Sequence, residues 1–273
     1  MGTQTPAFPL DLEQEIFVTT AILYPETMPT LLLVAHRVLV WIEPLLYRTL
    51  LFDNNTRLFS AMQTLKLKSP TFRQNVHDIF LWYRSSNWED EQINMSAFLS
   101  ICTGVQNLVL RYLPYSMFPI LGSLQLRRLA LPMFFLPQPS SITDNPDFLR
   151  ELTHLHVHSA QTPHTWICQL PSLTHLALSD PGRPSVHNFI EASKKLQVVV
   201  CIFTQGVPGD LRRNTAWVDD PRVVIMRMSV RAPDYCRDWK SGLAGGRDFW
   251  CCAEEFLAKK QSDKSITTQI CDL

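Results

Sequence analysis

Apolar positions take the same arrangement twice along the chain. Leu149-Arg-Glu-Leu152-Thr-His-Leu155-His-Val157 and Leu170-Pro-Ser-Leu173-Thr-His-Leu176-Ala-Leu178 both read LxxLxxLxL, and Leu155 and Leu176 stand 21 residues apart. Steps of three that close in strict alternation mark a turn entering a strand, and this period is that of a unit pairing one strand with a return segment. One such unit cannot bury its own apolar face and needs neighbours on both sides. Weaker versions of the strand ending fall at residues 76–81, 105–110, 126–131, 196–202 and 222–228. The pattern therefore predicts about seven strands stacked in parallel. Between them, residues 57–68, 93–103 and 186–195 carry helical spacing, residues 132–146 are a proline-rich connector, and Trp82, Tyr83 and Trp88 with Glu89-Asp90-Glu91 read as an aromatic, acidic loop.

The segments flanking the strands have a different period. Pro9 suits a first helical turn, and Leu12 and Ile16 then fall on one face. Tyr24-Pro25-Glu26-Thr27-Met28-Pro29 interrupts that helix. A second helix is predicted over residues 30–38 and a third from near Trp41 through Pro44-Leu45-Leu46-Tyr47. At the other end, residues 248–260 read as a helix whose aromatic face closes the last strand, preceded by a flexible glycine-rich loop at Gly242–Gly246. The division expected is a trihelical unit at 8–52, a repeat region at 53–232, a C-terminal capping region at 233–260 and a polar, frayed tail at 261–273.

Composition narrows the function classes. Hydrophobic residues at 46% and charged residues at 18% fit a folded chain with a sizeable core rather than a disordered one. A formal net charge of zero argues against a nucleic-acid partner, which calls for a basic stripe. No apolar run, Met28 to Leu33 included, is long enough for a membrane span, and Glu13 and Glu15 break any signal-peptide core. Seven cysteines, none spaced C-x2-C and several inside apolar strands, read as reduced thiols in a cytoplasmic or nuclear protein.

The helical segment resembles a known motif. Phe8-Pro9-x-Asp11-Leu12-x-x-x-Ile16-Phe17 is similar to the opening of the F-box, and Val34-Ala35-His36-Arg37-Val38 with Pro44-Leu45-Leu46-Tyr47 is similar to its close. Val38 stands where the motif has tryptophan, and Ala35 where it has Ser or Cys. With the strand phrases behind it, the layout resembles F-box-like proteins with degenerate leucine-rich repeats, a family expanded in mushroom-forming fungi. Where regular repeats of that kind carry Asn or Cys after the strand, this chain has Ser179-Asp180-Pro181-Gly182 and His158-Ser159-Ala160. The resemblance implies an α/β chain in which an F-box-like unit precedes an irregular leucine-rich-repeat-like solenoid with a parallel sheet and a C-terminal capping helix. It also implies a substrate-recruiting adaptor of a cullin-based (SCF-type) ubiquitin ligase. The helices would dock a Skp-type linker through Pro9, Leu10, Leu12, Ile16, Leu31, Val34 and Leu45, and the repeats would bind a protein substrate. The alternative is a free-standing interaction scaffold whose helices only cap the first repeat.

Candidate chemistry is sparse. In His154-Leu155-His156-Val157-His158 the three imidazoles alternate with core positions and so share the opposite, concave face, with His175 in the phrase position of His154. Together with Arg127, Arg128, Trp82 and Trp88 they make the candidate substrate-binding set. Four imidazoles could hold a metal ion, but a polar exposed face in which His fills the alternate positions accounts for them better, and no metal or cofactor is expected. Gly242-Leu-Ala-Gly245-Gly246 lacks the spacing of a phosphate loop, and Asp219-Asp220 and Glu254-Glu255 are adjacent carboxylates whose side chains diverge. No nucleophile elbow, zinc-protease or kinase pattern occurs, so no enzymatic activity is expected.

Overall fold

Local start and stop signals set most of the elements. The computed structural model describes residues 8–52, 54–82, 88–111, 117–132, 149–158, 165–207, 218–229 and 231–271, with 55, 88–94, 118, 165–166 and 232 described by backbone alone. Helix α1 (Leu10–Leu23) opens behind Pro9, with Asp11 and Glu13 in its first turn, where the helix dipole favours negative charge. A 3-10 turn, Pro25–Thr27, and the one-turn helix α2 (Met28–Leu31) lead to α3 (His36–Leu46). The helix expected over residues 30–38 does not form. Pro25 and Pro29 sit in first turns, where a missing N–H costs nothing, so the helical turn begins earlier, at Met28. Ala35 is extended, and α3 starts directly after it, well ahead of Trp41. Ala21, Val38 and Ile42 form the buried centre of this unit, with Leu31, Trp41 and Leu45 packed against them. Arg37 clamps α3 to α1 through Glu13, with Nη2 at 2.6 Å from Oε1.

Strands β1 (Thr49–Phe52), β2 (Asp78–Leu81), β3 (Asn107–Leu110), β4 (Arg128–Pro132), β5 (His154–His158), β6 (His175–Ser179), β7 (Val198–Phe203), β8 (Val223–Arg227) and β9 (Ile270–Cys271) form one sheet. Each strand lies beside its predecessor in the chain, and every pair is parallel. The expected strands correspond to β2 through β8. β1 and β9 add to them, and β9 lies in the tail read from sequence as frayed. The register follows the repeated phrase: Leu129 stands beside Leu155, and Leu155 beside Leu176. A backbone rule recurs at six successive strand entries. The carbonyls of Arg48, His77, Gln106, Arg127, Thr153 and Thr174 each accept two N–H groups from the next repeat, at 2.7–3.2 Å.

The connections carry α4 (Asn55–Lys66), α5 (Pro70–Arg73), α6 (Trp88–Ile101), α7 (Phe118–Ser123), a 3-10 turn at Thr165–Gln169 and α8 (Arg183–Ala192). Asn54 and Ser69 cap α4 and α5 by accepting from Arg57 N and Phe72 N. Residues 89–91, expected in a loop, lie in the first turn of α6. Gly104 has no room for a Cβ, which would meet the Gln74 carbonyl, so the chain there needs glycine.

Both faces of the sheet are covered. Leu108, Leu129, Leu155 and Leu176 face α4, α6, α7 and α8 in the main core, with Leu58, Phe98, Leu121 and Phe189 opposite them. The residues between those leucines, among them Phe80, Val109, Ala130, Ala177, Val200 and Val224, pack under two further helices, α9 (Ala232–Leu243) and α10 (Phe249–Ser262). The C-terminal helix was expected to close the last strand. α10 does pack over β8, the last of the expected strands, and with α9 it also lies across the face expected to be open; the chain then returns to add β9 beside β8. Among the described residues no helix is long and apolar enough to cross a membrane.

Candidate functional site

Two regions draw on the candidate residues. The first is the outer surface of α1 through α3. Pro9, Leu10, Leu12, Ile16 and Val34 are exposed, the last four at 54%, 50%, 52% and 55%. Leu31 and Leu45 are half-buried against the Ala21, Val38 and Ile42 cluster, so they serve the unit's interior as much as its surface. Sequence periodicity missed Leu33, Val40 and Leu46, which are exposed as well. Of the thirteen exposed large hydrophobic residues in the described chain, eleven lie between Phe8 and Leu46. Exposed apolar side chains scattered singly are ordinary, but a concentration of this kind marks a contact surface.

The second region is the sheet face beneath α9 and α10, where the histidines lie. Strand register places Thr49, Asp78, Asn107, Arg128, His154 and His175 in one row at the start of the strands. The row is linked by hydrogen bonds. Asp78 accepts from Thr49 Oγ1 at 2.8 Å and from Asn107 Nδ2 at 2.7 Å, Arg128 Nη1 donates to Asp248 at 3.0 Å, and His175 Nε2 pairs with Glu254 at 2.9 Å. Asp248 also caps α10 by accepting from Cys251 N, so one carboxylate both starts the helix and ties it to β4. The His154 and His175 rings stack at 4.1 Å and 12°, and both present to Trp250 edge to face. Gly242 lies where a Cβ would strike the Asp248 carboxylate.

Further along the same strands, His156 is 2% exposed and bonds to Tyr235 Oη through Nδ1 at 2.7 Å and to Ser179 Oγ through Nε2 at 2.9 Å. A neutral ring, donating through one nitrogen and accepting through the other, satisfies both partners. His158 is buried against Trp82, with ring centroids 5.0 Å apart, and among the described residues neither its nitrogens nor Trp82 Nε1 have a hydrogen-bond partner. A cavity of about 20 Å³, lined in part by His154, His156, Tyr235, Asp238 and Asp248, lies between α9, α10 and the sheet. That is room for a single water-sized group.

Electrostatics follow from this burial. Burial pushes His154 down to about 3, with the His175 and Arg128 charges adding to it. Burial, then Arg111, pushes His158 to about 3, and burial, then His158, holds His156 well below the ordinary imidazole range. His175 is lowered by burial, while Glu254 pulls it the other way. Burial and the nearby Asp248 raise the Asp238 carboxyl to about 7, and burial raises Tyr235 well above its ordinary value.

The candidate substrate residues are therefore not an open concave face. His156, His158, His175 and Trp82 are buried, and Arg128 and His154 are half-buried; only Arg127 is exposed, and the Trp88 side chain lies outside the described residues. The physical reason is that the neighbouring outward positions are apolar, and α9 and α10 exclude water from them. Sequence reasoning missed Tyr235, Trp250, Asp248 and Glu254 as partners of the histidines. It also missed that Asp78, Asn107 and Arg128 hold the phrase position of His154, which aligning every strand phrase reveals. No protein-family model matches the chain, and no curated protein matches it either.

Proposed function

We propose that the chain is an F-box-like adaptor: α1 through α3 dock a Skp-type linker of a cullin-based ubiquitin ligase, and the parallel sheet is a degenerate leucine-rich-repeat-like solenoid that carries a protein substrate. The observation that carries this reading is the concentration of exposed apolar side chains on α1 through α3. A cap needs one apolar face toward the repeats and a polar face outward. Here Leu10, Leu12, Ile16, Leu33 and Val34 point to solvent instead. The two departures from the motif also fall inside the unit: Val38 is fully buried, and half-buried Ala35 is the residue before α3. Neither substitution removes apolar surface from the outside. The sequential parallel strands, their recurring 21- and 29-residue intervals and the repeated double-acceptor carbonyl support a repeat origin for the sheet.

Because α9 and α10 cover the histidine face, the substrate surface in this reading is their outer side, which carries Asp234, Arg237, Lys240, Glu255 and Lys259. The test is capture of the full chain by a purified Skp-type linker, compared with a Leu12→Asp/Ile16→Asp double variant. Both positions are exposed, so the variant should keep its circular dichroism and melting temperature while losing capture. A folded wild-type chain that is not captured would sink the adaptor reading and leave a binding scaffold.

A further inference from the structure

We propose that His154, His175 and Glu254 form a binding site for a zinc-class divalent transition-metal ion. One ligand atom from each lies within 4.8 Å of the other two. The two histidines are register partners on β5 and β6, and Glu254 reaches them from α10. Each ring has its Nδ1 held at 2.8 Å by the hydroxyl of the threonine before it, Thr153 for His154 and Thr174 for His175. That leaves Nε2 as the nitrogen each has to offer, and in His175 it already meets Glu254 Oε1 at 2.9 Å. Fixing the far nitrogen with a polar partner is how ligating imidazoles are oriented in metal sites.

The donor set selects the ion. Two imidazoles and one carboxylate suit Zn²⁺, Ni²⁺ or Cu²⁺, whereas Mg²⁺ and Ca²⁺ require oxygen shells. His175 Nε2 faces the Glu254 carboxylate, which can only accept, so it carries the proton in that contact and the ion replaces that proton on binding. Arg128, a cation beside the two imidazoles, has its charge engaged by Asp248. The Glu254 side chain is 53% exposed, so it is free to move the short distance that closes the set and leaves a fourth position facing solvent. The rings now stack nearly parallel, so their in-plane lone pairs do not converge. Chelation tilts them apart, against Trp250. The site is independent of whether α1 through α3 dock a linker.

The experiment is titration of the full-length chain with Zn²⁺ by calorimetry and with Co²⁺ by visible ligand-field absorption, in wild type and in two variants. His154→Phe keeps a ring against Trp250 and removes the nitrogens, and Glu254→Gln keeps the size of an exposed side chain and removes the charge. The expected result is one ion per chain, a rise in melting temperature reversed by a chelator, and at least a tenfold loss of affinity in each variant with circular dichroism unchanged. Absence of binding overturns the proposal. So does binding that survives both substitutions, and a Cys251→Ser/Cys252→Ser variant would then locate it at the adjacent thiols of α10.

Discussion

Arg222 shows how much of this fold rests on single polar side chains. Its guanidinium meets Asp220 through Nε and Nη2 at 2.8 and 2.9 Å and also donates to the carbonyls of Ile190, Ser193 and Leu196. Those carbonyls lie in or just beyond the last turn of α8, where helix carbonyls lack partners and a cation is favoured. Lysine cannot present a planar fork to five acceptors. Arg222→Lys and Arg222→Met should each lower stability, the second by about 2–4 kcal/mol. Urea unfolding would measure this, and a change within error would remove Arg222 from the account. His158 should behave in the opposite way. Its buried nitrogens have no partners among the described residues, so His158→Phe should raise stability by about 1–3 kcal/mol. It should also flatten the acid response. The folded pKa of about 3 lies below the ordinary 6.5, so the unfolded chain takes the proton first. Stability from this group is therefore complete above pH 6.5 and falls as pH drops from 6.5 toward 3, at about 1.4 kcal/mol per pH unit for each net proton. Asp238, raised to about 7, runs the other way, with its contribution lost as pH rises from its ordinary 3.8 through 7, and so offsets part of the slope. Denaturant titrations at pH 7 and pH 5 in wild type and His158→Phe would read the difference.

At the scale of elements, what was legible in the sequence was what depends on neighbours in the chain. The LxL strand endings and the Asp248 start of α10 follow from spacing and capping, and the structure places them where those signals stand, whereas α4 begins two residues ahead of the expected 57 because Asn54 caps it. The short α2 was not legible, because Pro29 reads alike as a breaker or as a first-turn residue. The role of α9 and α10 was obscured for another reason. Tyr235, Trp239 and Leu243 recur at helical spacing, but the surface they cover lies on strands far away in the chain. The available clue was in the strands themselves: Val198–Phe203 reads VVVCIF, apolar at every position, as strands buried on both faces do. Helix packing also makes a prediction at this scale. Gly242→Ala drives a Cβ into the Asp248 carboxylate, which both caps α10 and holds Arg128, and should cost about 1–3 kcal/mol. Thermal unfolding of that variant, beside Gly182→Ala at a position where a Cβ meets nothing nearer than 3.8 Å, would test whether the Asp248 contact is the cause.

For the whole molecule, the notable arrangement is a sheet whose strands touch only their sequence neighbours, crossed by two helices that do not respect that order. Phe80 on β2 meets Tyr235 and Trp239 of α9, while α10 packs over β7 and β8. A stack of nearest-neighbour units is by itself a one-dimensional array, able to fray from either end and to populate partly melted forms. α9 and α10 bolt distant units together, so loss of any one strand also weakens contacts several strands away. The chain should then unfold in a single all-or-none step, with tryptophan fluorescence and far-ultraviolet dichroism giving coincident denaturant curves. Trp250→Ala, which loosens the bolt at β5 and β6, should separate the two curves and uncover an intermediate that keeps part of its sheet. The fold thus trades the modular independence of a stack for the shared fate of a single cooperative body.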